Sequence, residues 1–250
     1  MGLYTAAQHD EYSRLSWERD ALQIFHQKMT DKEYLFPCIP ATQGHSLDHF
    51  RYGFVGDPRK NSTVNEFAKL LKEYTEKSKQ IGKYTSLIVF FETPIELSQE
   101  YDVEQFEQIF WQLLSDISSI DEKEWPKNIP VDPHNPIWEY CFHHEQYFMY
   151  CATPAHKNRN SRHFPYFMMA ITPRWVLEQF NENKSFAAKI KENIRKRIVA
   201  YDSVPIHPDL NTYGKEDNYE WKQYFLHDDE SSLSKCPYHR FLKLIGKEKK

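Results

Sequence analysis

Glycine is scarce, with 7 residues in 250. No phosphate-cradling glycine loop and no G-x-S-x-G elbow occurs, which argues against a nucleotide-binding Rossmann enzyme and a serine hydrolase. Cysteine is scarce too. Cys38, Cys141, Cys151 and Cys236 are too few and too scattered for a disulfide framework, so reduced thiols and a cytosolic setting are expected. No C-x-x-C or H-E-x-x-H pattern supports a zinc site. No apolar run approaches the ~20 residues that span a bilayer. The opening MGLYTAAQHDEY lacks the basic and apolar regions of a secretory signal, so neither export nor a membrane partner is expected. Charge of neither sign dominates: 32 Lys and Arg face 36 Asp and Glu, a net of -4. That balance argues against nucleic acid as a partner.

Aromatic side chains are abundant, at 16% of the chain within a 40% hydrophobic fraction. A chain of this length buries roughly three quarters of its unfolded surface. Such a composition suits a rigid core, and equally a flat aromatic cofactor. The densest stretch is WEYCFHHEQYFMYCATPAHKNRNSRHFPYF, Trp138 to Phe167. Its first half is apolar and ring-rich. Its second half turns abruptly to proline, histidine, lysine and arginine.

Periodicity assigns the elements. Tyr12–Met29 reads as an opening helix. Phe36–Ala41, with two prolines, reads as an extended rigid loop or edge segment. Phe50–Gly56 reads as a short strand. Thr63 with Glu66 predicts a capping box for a helix ending near Gly82. Thr85–Glu92 is almost wholly apolar, as in a strand buried on both faces. Asp102 and Gln105 cap the most strongly periodic helix, striped by Phe106, Phe110, Leu113, Leu114 and Ile117. Glu124–Pro136 carries four prolines and reads as an ordered loop anchored by Trp125, Ile129 and Val131. Two strands follow, with His144-Glu145 at their tip and Trp138, Tyr140 and Phe142 in one row. Tyr166–Ile171 is another strand, Pro173 opens a helix, and Phe186–Tyr201 is the last long helix, with Ile190, Ile194 and Ile198 inward. The order predicts a single α/β domain over residues 1–250, one mixed, largely antiparallel sheet flanked by helices. Residues 202–250 form a polar extension whose EWKQYFL segment packs back on the body.

Several residues carry candidate chemistry. Thr153–His163 gathers His156, Lys157, Arg159, Arg162 and His163 directly after a strand. Arginine offers planar, bidentate contacts to carboxylates, so the cluster reads as an anion clamp beside an oily wall, suited to an amphipathic ligand. The plainer reading is a solvated basic loop. Cys38, held between Pro37 and Ile39-Pro40, is a candidate soft-metal ligand, against the commoner fate of a buried cysteine as a small hydrophobe. Cys236-Pro237 is a weaker candidate pair. Asp132, His134, His143, His144 and Glu145 have the residue types of a two-His-one-carboxylate iron site, at unconstrained spacing.

Seven segments, FPCIPATQG, RYGFVGDPR, WPKNIPVDPHNPIWEYCFHHEQYF, CATPAHKNRNSRHFPYF, PRWVLEQF, RKRIVAYD and NYEWKQYFL, together resemble the YqcI/YcgG family in its Bacillus-type branch. Other branches include heme-dependent enzymes that hydroxylate nitrogen on guanidine-containing substrates such as arginine. The resemblance therefore implies heme b, chemistry with O2 or peroxide, and a small-molecule substrate of cationic character. On that expectation Trp138, Tyr140 and Phe142 cover the porphyrin, and Arg159 and Arg162 pair with its propionates. His156 or Cys38 supplies the axial ligand, with His156 preferred because it adjoins the arginines. Histidine ligation would favour peroxidase-like or globin-like behaviour, and a thiolate would push electron density toward O–O cleavage. A cationic substrate needs a carboxylate, for which Glu139 and Glu92 are the candidates. Two other readings stand beside this one: a sensor that holds heme or another amphipathic anion without turnover, and a non-heme iron enzyme.

Overall fold

The computed structural model describes residues 2–8, 16–211 and 218–238. Five strands make one sheet in the order β1-β2-β5-β4-β3: β1 Phe50–Val55, β2 Ser86–Phe91, β3 Tyr140–Phe142, β4 Glu145–Ala152 and β5 Met168–Pro173. β1 and β2 run parallel, and the other three neighbouring pairs are antiparallel. The sheet is thus mixed and largely antiparallel, as the sequence predicts. The main helices are α1 Ser16–Thr30, α2 Ile39–Ser46, α3 Asn61–Lys77, α4 Ile95–Glu100, α5 Val103–Ser119, α6 Arg174–Asn181, α7 Lys184–Tyr201 and α8 Trp221–Tyr224.

Helices cover both faces of the sheet, which is why all six residues of β2 are buried. On one face, Phe67 and Leu71 of α3 and Phe106 and Phe110 of α5 pack on Leu87, Val89 and Ile171. On the other, Phe25 and Met29 of α1 pack with Tyr52, Ile88, Phe90 and Met168. Strand alternation divides β4 the same way: Tyr147, Met149 and Cys151 face the α3–α5 layer, and Phe148 and Tyr150 face the opposite side.

Local chemistry explains where the elements differ from expectation. The segment read as an extended loop at Phe36–Ala41 turns helical from Ile39. Its Pro40 sits in the first helical turn, where the missing N–H costs nothing. Gly44 then lets α2 settle on the sheet, since a Cβ there would meet the Phe50 ring and the Tyr84 carbonyl oxygen at 2.7 Å. The Thr63–Glu66 capping box does not form. Helix α3 starts earlier, Thr63 donates its hydroxyl to the Asp57 carbonyl, and Glu66 accepts from the Gly56 N–H. The Asp102–Gln105 box does form. The β3–β4 hairpin turns one residue early, at His143 and His144, both at positive φ. Ile190, Ile194 and Ile198 of α7 are only half-buried; Ala187 and Tyr201 are the buried residues. The predicted helix start at Tyr12 lies outside the described residues.

The chain beyond α7 returns to the body. Trp221, Tyr224 and Phe225 are buried in the α3–α5 layer, and Tyr238 donates its hydroxyl to Ser118.

A candidate ligand cavity on the α1–α2 side of the sheet

An apolar cavity of about 170 Å³ lies between the sheet and the α1–α2 cover. Its floor is the strand face carrying Ile88, Phe148, Tyr150 and Ala170, and its cover carries Phe25, Met29 and Phe36. Its polar atoms are few: Cys38, Lys28, His163, the Tyr150 hydroxyl, and the Ser86–Thr172 hydroxyl pair, which bond to each other at 2.7 Å. No aspartate or glutamate lines it among the described residues. Two larger clefts, of about 440 and 480 Å³, are more polar, and several of their charged groups are already paired. In the first, Arg59 binds Asp57 and Glu96. In the second, Asp228 accepts from the N–H groups of Lys157, Asn158 and Arg159, and His227 meets Glu107 at 2.7 Å. The oily cavity with a few converging polar groups is the stronger candidate.

Cys38 is the N-cap of α2 and its thiol is free. Burial pushes the thiol pKa up, while the Ala41 backbone N–H and the Arg162 charge pull the other way. The site therefore holds a neutral thiol with thiolate-stabilising groups already in place.

His163 was gathered into the basic cluster by sequence, without a role of its own. Its Nδ1 lies 2.8 Å from the carbonyl oxygen of His156. A carbonyl only accepts, so Nδ1 carries the proton and Nε2 keeps its lone pair. Burial lowers the pKa of this ring. A neutral imidazole with a fixed tautomer on a cavity wall can ligate a metal or accept a proton. A histidine at the end of a basic loop carries no sequence signal that separates it from its neighbours.

The other expected site residues lie elsewhere. Trp138, Tyr140 and Phe142 are buried on the opposite face of the sheet, in the α3–α5 core. Trp138 packs on Trp125, Tyr224 and Tyr238, and Tyr140 packs on Tyr238 and donates to the Leu114 carbonyl. The row of rings is filled by protein, so the slot expected over it is absent. Arg159 donates to the carbonyls of His227, Pro205 and Asp229. Arg162 donates to those of Cys151, Gln223 and Tyr224 and lies over the Tyr150 ring. Both guanidinium groups hold the returning chain rather than a mouth for propionates.

His156 is equally committed. Its Nε2 bonds the Leu226 carbonyl and its Nδ1 bonds the Thr153 hydroxyl, each at 2.8 Å. Because the carbonyl only accepts, Nε2 is the donor. Burial, which lowers the ring to a pKa of about 4, keeps it neutral, so Nδ1 accepts from Thr153. No lone pair is left for iron. Of these two residues, Cys38 borders the cavity and His156 does not.

Glu139 is buried in an ion pair with Arg174 at 2.5 Å, and Arg174 also binds Glu220. Glu92 is exposed at the end of β2. Neither borders the cavity. Among the described residues no group of three or more His, Cys, Asp or Glu side chains could hold a metal ion. His134 pairs with Asp132, and His143 faces Glu76, so the residues of the non-heme iron reading do not converge.

The profile of the YqcI/YcgG family matches residues 25–239. The chain belongs to the YqcI/YcgG family. It is similar to two Bacillus subtilis (strain 168) members, YqcI and YcgG, at 50% and 47% identity, each over 93% of this chain and 92% of the relative. Their names state no activity. A more distant relative, DcsA of Streptomyces lavendulae, is 28% identical over 89% of this chain and 84% of its own. Its name proposes an N(omega)-hydroxy-L-arginine synthase. No solved structure matches this family member. No helix among the described residues is long and apolar enough to cross a membrane.

Proposed function

We propose that this protein is an oxidoreductase that hydroxylates nitrogen of a small guanidine- or amine-containing metabolite, using heme b seated in the α1–α2 cavity with Cys38 as the iron ligand. The observation that carries the reading is the free thiol of Cys38 at the edge of a ring-walled cavity. The name of DcsA supports the reaction class.

The lining chemistry fits a porphyrin: apolar walls, one soft ligand, and no carboxylate to compete for iron. Its volume of about 170 Å³ is below the ~300–1,000 Å³ common for ligand pockets, so the cavity must widen on loading. When bound, heme would supply activation of O2 or peroxide. The chain supplies the rest. Cys38 would hold the iron as a thiolate, which the Ala41 N–H and the Arg162 charge favour. The Phe25, Phe148 and Phe164 rings exclude water. His163 Nε2 is the acceptor for a proton leaving the substrate nitrogen.

A second reading is favoured by one observation. A guanidinium needs a carboxylate partner when buried, and the described cavity wall has none. That favours a protein that binds heme or another amphipathic anion without turnover.

Titration of the purified protein with hemin, followed by absorption, tests heme uptake. A Soret band that appears in the wild type and is lost in Cys38→Ala supports the assignment; no uptake by the wild type removes it. Turnover of arginine and related guanidines by the loaded protein separates enzyme from sensor.

A further inference from the structure

We propose that the α1–α2 cavity is built for a guest with a carboxylate on an apolar body, and that the Lys28 ammonium is its anchor. The inference rests on the cavity assigned above and extends it to a class of ligand. Lys28 lines the cavity from α1, one turn after Phe25. Its Nζ donates to the carbonyl oxygens of Asn160 at 2.9 Å and His163 at 2.6 Å. An ammonium has three donors, so one is left over. The Phe36 and Tyr201 rings stand 5.8 and 5.6 Å from Nζ, a cation–π setting.

No carboxylate among the described residues stands within ion-pair distance of Lys28. The acidic group that acts on it is Asp202, from farther away. Asp202 is itself engaged by the Ser161 N–H and hydroxyl and by Arg159. Lys28 is half-buried, and a cation partly withdrawn from water without a counter-ion is costly; carbonyl dipoles and ring faces offset only part of that. One anion completes the site.

Lys28 is the one cation among the described lining residues, the other polar groups there being neutral. The Ser86 and Thr172 hydroxyls bond each other, and the Tyr150 hydroxyl donates to the Ser161 carbonyl. A guest that placed an ammonium or guanidinium at this end would meet like charge. A porphyrin propionate and a fatty-acid carboxylate both present the required group, and both carry the apolar body that the ring-lined walls accept.

The experiment compares each acid with its ester on the unaltered protein. Hemin and its dimethyl ester are followed by absorption, and cis-parinaric acid and its methyl ester by fluorescence. We expect each acid that binds to bind at least about tenfold more tightly than its ester, equivalent to ~1.4 kcal/mol. That preference should fall to near unity in Lys28→Met and persist in Lys28→Arg. Equal affinity for acid and ester in the wild type overturns the anchor, and so does a full preference retained in Lys28→Met. Because the wild-type comparison needs no variant, a folding defect in Lys28→Met leaves the proposal falsifiable. The arms also separate the two claims. Acid-selective binding of the fatty acid without hemin uptake keeps the anchor and removes the heme reading. A Soret band with no acid preference does the reverse. Binding of none of the four overturns both.

Discussion

At Cys38 two influences oppose each other: burial favours the neutral thiol, and the Ala41 N–H with the Arg162 charge favours the thiolate. A metal settles that contest by replacing the proton. At His156 there is no such contest, because both nitrogens already hold partners in the fold. The two substitutions should therefore separate. Cys38→Ala should abolish the Soret band while changing stability little, since the side chain borders a void. His156→Ala should leave the band in place and lower stability by about 2–4 kcal/mol, from a lost buried ring and an orphaned carbonyl; hemin titration and urea unfolding of both variants check this. Glu220 sets a pH dependence. Burial pushes its carboxyl up to about 7, with Glu139 adding to the effect and Arg174 opposing it. A raised carboxyl binds its proton more tightly in the folded than in the unfolded chain. Its contribution is therefore full below the ordinary value near 4.5 and is lost as pH rises through about 7. The urea midpoint should fall between about pH 5 and pH 8, and Glu220→Gln should flatten that fall. An equal fall in both proteins would show that other groups carry it.

At the scale of elements, arginine donors on backbone carbonyls help tie the returning chain to the body. Arg159 reaches three acceptors and Arg162 another three. Arg162→Met should cost about 3 kcal/mol by leaving buried carbonyls unpaired. It should also speed amide exchange at Tyr224, Phe225 and Leu226 more than at Leu87 to Phe91; uniform exchange across both segments would count against a local strap. In the sequence these arginines resemble a ligand clamp, because composition cannot tell a carbonyl acceptor within the chain from a propionate. Other elements were legible. The wholly apolar run of β2 and the stripe and capping pair of α5 point to one structure each. The row of Trp138, Tyr140 and Phe142 was legible as a row, since a strand repeats every two residues. The layer it faces was not, because that depends on which helices cover each side. Helix α2 was missed because two prolines read as extended chain, although Pro40 sits where a helix tolerates it.

At the scale of the molecule, the cavity joins segments that sequence reading treats separately: α1, the N-cap of α2, four strands and the loop after β4. No local motif announces a void whose walls come from positions as distant as Phe25 and Leu177, which is why Cys38 was legible as a ligand type and its surroundings were not. A guest bound there touches both the α1–α2 cover and the sheet, so it exists only for the folded chain. Such a ligand stabilises the native state by ~2.7 kcal/mol at a hundredfold excess over Kd. For a chain of this size each kcal/mol moves Tm by ~2–4 °C. Hemin at that excess should therefore raise the unfolding midpoint by roughly 5–10 °C in differential scanning fluorimetry or by circular dichroism. At the same hemin concentration the shift should vanish in Cys38→Ala and shrink in Lys28→Met. An equal shift in all three proteins would place the guest outside the cavity and set both assignments aside.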